Sequence, residues 1–143
     1  MAANVAVVLS GCGFLDGSEI HEAVLTLMHL QRGGANTHCL APRMPQADVV
    51  DHAARAPVAG AVRDVFVESA RIARGAIADL QDADPGAFDA VVLPGGFGAA
   101  KTLSDFASKG GRAKVHPGLM RFLRGMHGAQ KPIGAICIAP AVV

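Results

Sequence analysis

The chain has 143 residues, enough for one domain with a real core, and its 13 Lys and Arg against 12 Asp and Glu give a formal net charge of +1. Tyr and Trp are absent and no basic stripe with interleaved aromatics is present, so no nucleic-acid partner is expected; no apolar run reaches the length that spans a bilayer, so no membrane partner is expected either. Three widely spaced cysteines, Cys12, Cys39 and Cys137, match neither a disulfide framework nor a zinc spacing, and the N-terminus lacks a basic n-region; the expectation is a reducing, cytoplasmic setting with no metal and no cofactor.

Asn4 to Leu9 is a continuous apolar, β-branched run, the pattern of a central strand buried on both faces of a parallel sheet. The Gly-rich loop Ser10-Gly11-Cys12-Gly13 follows, then a helix from Ser18 to Arg32 with Ile20, Ala23, Val24, Leu27 and Leu30 at helical spacing. Gly33-Gly34 stops it. A second strand runs from Asn36 to Ala41, and this β-α-β order predicts a right-handed crossover.

Residues 42 to 62 have no clear period, and Val49-Val50 with Ala56-Pro57-Val58 suit a short hairpin at the sheet edge. Over 63 to 81 the alternation of Val65, Val67 and Ser69 predicts a short strand, followed by a helix through Ala70, Ala73, Ile77 and Leu80. Phe88 to Leu93 is another buried strand, ended by Pro94-Gly95-Gly96-Phe97-Gly98. A short helix is predicted from Ala99 to Phe106, a loop over Ser108 to Arg112, and a helix from His116-Pro117 to Gly128. Pro132 to Cys137 is the last strand. The order argues for an α/β fold with a mostly parallel sheet and helices on both faces.

In such sheets, sites form beyond the carboxyl ends of the strands. Three Gly-rich segments land there: Ser10 to Ser18, Pro94 to Gly98, and the stretch Gly134-Ala135-Ile136-Cys137-Ile138-Ala139-Pro140 around Cys137. The last suits a strand making a sharp turn into a helix with a nucleophile at its apex, crowded by small residues. Taken alone, Cys137 reads first as a small hydrophobe packed in a buried strand, and only then as a nucleophile.

Glu19 and Glu22 fall in the first turns of the first helix. Asp16-x-x-Glu19 has capping-box spacing, which suits Glu19 to a structural role. Glu22 lies one turn further in, beside the apolar face. A carboxyl next to a thiolate is expected to keep its proton, because adjacent anions repel. It could then donate to the thiolate and shuttle the proton. Amides of Gly95 and Gly96, with that of Ile138, could form an oxyanion hole. Cys12 is either a redox partner facing the same site or a plain loop cysteine. The six histidines read as structural, with His116 capping a helix, and Arg71 and Arg74 with Glu68 as a solvated charged face or subunit contact.

The stretches S-G-C-G-F-L-D-G-S-E-I-H-E-A-V at 10–24, V-E-S-A-R-I-A-R-G at 67–75, L-P-G-G-F-G-A-A-K at 93–101 and G-A-I-C-I-A-P-A at 134–141 together resemble the ElbB-like subfamily of the PfpI-like proteins, within the class I glutamine amidotransferase-like superfamily. The resemblance spans the whole chain. It implies a flavodoxin-like three-layer sandwich, a nucleophile elbow at Cys137, Glu22 rather than Glu19 as its partner, Gly96 as the oxyanion-hole glycine, and a homodimer. It also implies a cofactor-independent, glyoxalase III-type conversion of small 2-oxoaldehydes to 2-hydroxy acids.

Two departures stand out. Ile138 occupies the place where PfpI-type proteases carry a histidine, which argues against proteolysis. Family members are also longer, so residues 1–143 are expected to form a single amidotransferase-like domain lacking its C-terminal part. A redox-responsive or chaperone-like binding protein built on the same cysteine, and an amide-hydrolysing amidotransferase, remain the alternatives.

Overall fold

Val5, Ala6, Val7 and Val8 are all buried, so the first strand, β1 (Asn4–Val8), can only lie at the centre of a sheet covered on both sides. A computed structural model describes residues 1–143 and places β1 there. On one side it pairs in parallel with β2 (Asn36–Ala41), Val7 opposite Cys39; on the other it pairs in parallel with β6 (Ala90–Leu93), Val7 opposite Val92. β5 (Ile77–Asp79) and β7 (Ile133–Ala135) complete the five-stranded order β5-β2-β1-β6-β7.

The period-2 alternation of β1 sorts the core into two layers. Val7 and Leu9 face Ala23, Leu27 and Leu30 of helix α1 (Ile20–Arg32), with Ile72 of α2 (Val65–Ile72) beside them. Ala6 and Val8 join the larger cluster under Leu119, Phe122, Leu123 and Met126 of α5 (Pro117–Gly128). Phe122 is fully buried and meets Phe88 edge-on at 5.7 Å. The expected flavodoxin-like α/β sandwich is therefore present, with helices on both faces of a parallel sheet. No helix is long and apolar enough to cross a membrane.

Four sequence expectations are corrected. Over 63–81 the order is helix then strand, because the Asp64 carboxylate accepts the Val67 amide at 3.0 Å and starts α2 at Val65. Val65, Glu68 and Ser69 are its buried face while Val67 is exposed, so the apparent alternation was a helical stripe sampled too briefly. The hairpin β3 (Val50–Asp51) and β4 (Ala56–Pro57) forms, but as a separate two-stranded sheet rather than an edge of the main one. The helix after the Gly-Gly turn begins earlier, as α3 (Phe97–Lys101), and a second short helix, α4 (Phe106–Lys109), runs into a 3-10 turn at Gly110–Arg112 where a loop was expected. Ser104 causes the break: its hydroxyl donates to the Ala99 carbonyl and accepts the Phe106 amide, closing one helix and opening the next.

The last strand is also shorter than expected. It stops at Ala135, because Cys137 is turned out of it by a backbone φ of 58°. Glu68, read with Arg71 and Arg74 as a solvated charged face or a subunit contact, is not solvated: it is buried between Arg71 at 3.0 Å and Arg63 at 3.8 Å.

Candidate active site

The carboxyl ends of β1, β6 and β7 converge, and backbone bonds lace their loops together. Glu19 donates its amide to the Gly95 carbonyl at 2.9 Å, Phe97 to Phe14 at 2.7 Å, Gly98 to Gly17 at 2.9 Å and Ile136 to Leu93 at 3.0 Å. Ser18 ties the first loop to its strand, accepting the Ser10 amide at 2.9 Å. The hairpin pins that loop from outside: buried Asp16 accepts the Val50 amide at 2.8 Å. Asp16 therefore does not cap α1. Glu19 is itself the N-cap, taking the Glu22 amide at 2.7 Å.

Gly95 is where the chemistry meets. A methyl group built on its Cα would stand 2.5 Å from Cβ of Cys137, 2.6 Å from Oε2 of Glu22 and 2.9 Å from the Ile136 carbonyl. The Cys137 Cβ and the Glu22 carboxylate thus both crowd the place a Gly95 side chain would take. Glu22 is fixed there by the Gly95 amide, which donates to Oε2 at 2.8 Å. That bond corrects one expectation: Gly95 has no free amide to offer an oxyanion. The amides of Gly96 and Ile138 donate to nothing in the chain and remain available. Gly96 can only be glycine, since its φ of 95° and ψ of 155° is essentially closed to side chains and its missing Cβ points at the Gly17 carbonyl.

Cys137 is exposed and holds a left-handed conformation, a strain of about 1–2 kcal/mol for a residue with a side chain. The same left-handed φ occurs at Arg55, Arg74 and Gln130; what sets Cys137 apart is that the turn directly ends β7 and leaves its thiol exposed. The segment after it is a 3-10 helix at Ala139–Val142. Beside the thiol lies a cavity of about 220 Å³ lined by Phe14, Glu19, Gly96, Phe97, Cys137 and Ile138. Burial opposes the charge on Glu19, but the Glu22 amide and His21, 3.0 Å away, outweigh it and hold the carboxyl below its ordinary range.

The remaining expectations separate from this centre. Cys12 is half-buried beside Arg71 and Glu68, and burial pushes its thiol up; it does not line the cavity. Cys39 is buried under α1 and pushed up to about 11 by burial. None of the six histidines lines the cavity. His116 holds the N-cap position of α5 but makes no side-chain capping bond. No three His, Cys, Asp or Glu side chains converge as a metal site. Phe14 and Phe97, the cavity walls, were missed by sequence reasoning; the signal for both was a phenylalanine directly following a Gly-rich turn at a strand end.

The model of the DJ-1/PfpI family matches residues 12–143. The human "Glutamine amidotransferase-like class 1 domain-containing protein 3, mitochondrial" is 53% identical over 99% of this chain, and the rat "ES1 protein homolog, mitochondrial" is 53% identical over 98%. The chain spans about half of each, 53% of their lengths. Among solved structures, an isoprenoid biosynthesis protein with amidotransferase-like domain from Ehrlichia chaffeensis superposes with a TM-score of 0.91 at 46% identity, over 97% of this chain and 65% of that one. These relatives correct the cytoplasmic expectation, because both curated proteins are mitochondrial. Three unpaired cysteines do not single out the cytoplasm.

Proposed function

The chain belongs to the DJ-1/PfpI family, and from that premise we propose that it carries the nucleophile of a cofactor-independent glyoxalase III-type lyase of the ElbB-like subfamily, acting on small 2-oxoaldehydes such as methylglyoxal. The observation that carries this reading is the Gly95 junction, against which Cys137 and Glu22 both lie, with the Gly96 and Ile138 amides left free. Similarity to the Ehrlichia structure supports the subfamily.

In the proposed reaction the Cys137 sulfur adds to the aldehyde carbon, forming a hemithioacetal. The Gly96 and Ile138 amides receive the oxyanion that develops. Glu22 takes the proton from that carbon and returns it to the neighbouring carbonyl carbon, leaving a thioester. Water cleaves the thioester, releasing a 2-hydroxy acid and the free thiol. The net change is addition of one water, so no oxidant or reductant is consumed. A homodimer and a small neutral aldehyde as substrate belong to the same proposal.

Turnover of methylglyoxal by the full-length protein, measured in chelator and without added thiols, tests it. The reading predicts lactate production that Cys137→Ala abolishes. Lactate production unchanged by Cys137→Ala would end it.

One observation favours a second reading. Cys137 is exposed while Cys39 is buried, which suits a peroxide-responsive thiol. That reading requires Cys137 to oxidise ahead of Cys39, as peptide mass spectrometry after dilute peroxide would show; equal oxidation of the two would exclude it.

A further inference from the structure

We propose that the cavity beside Cys137 selects neutral, apolar carbonyl compounds, arylated 2-oxoaldehydes among them, against carboxylate-bearing ones, and that Glu19 is the residue that enforces the selection. The inference rests on the reading of Cys137 as the site's reactive thiol.

Three observations carry it. The first is the absence of a cation from the lining of Phe14, Glu19, Gly96, Phe97, Cys137 and Ile138. The basic group next to these walls, Lys101, is committed elsewhere: its Nζ donates to Asp48 at 2.9 Å and to the Leu15 carbonyl at 3.1 Å, standing 5.4 Å from the Phe97 ring centroid. A substrate carboxylate would find no cationic side chain on these walls.

The second is the fixed negative charge of Glu19. As the N-cap of α1 its carboxylate accepts the Glu22 amide at 2.7 Å and pairs with His21 at 3.0 Å, so it stays on the cavity wall. Glu22 is held away from these walls by the Gly95 amide, so Glu19 is the carboxylate that lines the cavity. An anion entering this space meets the Glu19 carboxylate and no cationic side chain in the lining.

The third is the pair of phenyl walls. Phe14 and Phe97 are joined through the Phe97 amide and Phe14 carbonyl at 2.7 Å, and the Phe14 ring is steadied edge-on by His52 at 5.5 Å. They leave space of about 220 Å³, room for a ring rather than for a one-carbon substituent alone. The same charge pattern works against glutamine, whose α-carboxylate would need a cation.

Alkylation of Cys137 in the full-length protein tests this without requiring turnover. In each case a sulfur–carbon bond forms, a carbon–halogen bond breaks and halide leaves. Rates at the Cys137 peptide would be measured by mass spectrometry for iodoacetamide, iodoacetate and 2-bromoacetophenone, each divided by the rate with N-acetylcysteine amide. Wild type should disfavour iodoacetate over iodoacetamide by about tenfold, as one fixed charge a few ångströms away would produce in a half-exposed site. Glu19→Gln, which keeps an oxygen for the cap, should shrink that ratio several-fold, as should added salt on the wild type. The normalised preference for 2-bromoacetophenone should fall in Phe97→Ala. An iodoacetate ratio equal to that of the reference thiol, or one insensitive to both Glu19→Gln and salt, would overturn the inference. Failure of the glyoxalase reading would show separately, as no lactate from methylglyoxal while the alkylation ratios hold.

Discussion

Gly95→Ala is the sharpest perturbation of the site, because its effect can be worked from three distances. The new methyl would lie 2.5 Å from Cys137 Cβ, 2.6 Å from Glu22 Oε2 and 2.9 Å from the Ile136 carbonyl. Carbon atoms rest about 3.5–4.0 Å apart, so the ends of β6 and β7 must separate by about 1 Å. The Ile136 carbonyl is backbone and cannot swing away. Overpacking of this kind costs about 1–3 kcal/mol, and parting Glu22 from the Gly95 amide adds about 1.5–3 kcal/mol for a bond to a charged group. A loss of about 2.5–6 kcal/mol in urea unfolding is expected. Displacement of a reacting group by about 1 Å should reduce aldehyde turnover by about 100-fold. A Gly95→Ala protein with wild-type unfolding midpoint and wild-type turnover would refute the account of the junction.

Other consequences follow from the same geometry. Glu22→Gln keeps an oxygen for the Gly95 amide but removes the proton carrier, so turnover should fall by about 10²–10⁴-fold while urea stability changes little; steady-state kinetics beside an unfolding curve separates the two. The Cys39 thiol, raised from 9.0 to about 11 by burial, keeps its proton longer folded than unfolded. The stability linked to it is whole below pH 9 and is lost as pH rises toward 11, by no more than about 2–3 kcal/mol. Thermal unfolding of Cys39→Ala across that window should fall less steeply than wild type. His116 has the opposite sign: burial holds its imidazole neutral, so its contribution is present above about pH 6.5 and lost as pH falls below it. His116→Asn should flatten that acid-side loss and, as a better N-cap, add about 0.5–1 kcal/mol, read from unfolding curves at pH 5 and pH 7.

Much of this arrangement was legible in the chain. The unbroken apolar run of Asn4 to Leu9 could only be a doubly covered central strand, and the α1 stripe of Ala23, Leu27 and Leu30 could only face it. The convergence of three Gly-rich loops followed from strand direction alone. What stayed hidden was set by single side-chain bonds. Asp64 capping Val67 turned an apparent strand into a helix, and Ser104 split α3 from α4. Pairing across sequence was equally invisible: Glu22 to Gly95 spans 73 positions and Asp16 to Val50 spans 34. Nothing local reveals that Gly95 spends its amide on Glu22 while Gly96 keeps its own.

The most direct test of the account is to mix the full-length protein with methylglyoxal, quench in acid on the millisecond scale, and map covalent adducts by mass spectrometry. The account predicts a methylglyoxal adduct on Cys137 that accumulates in Glu22→Gln, decays with release of lactate in wild type, and never forms in Cys137→Ala. An adduct confined to other residues, or lactate formed at the wild-type rate by Cys137→Ala, would contradict it.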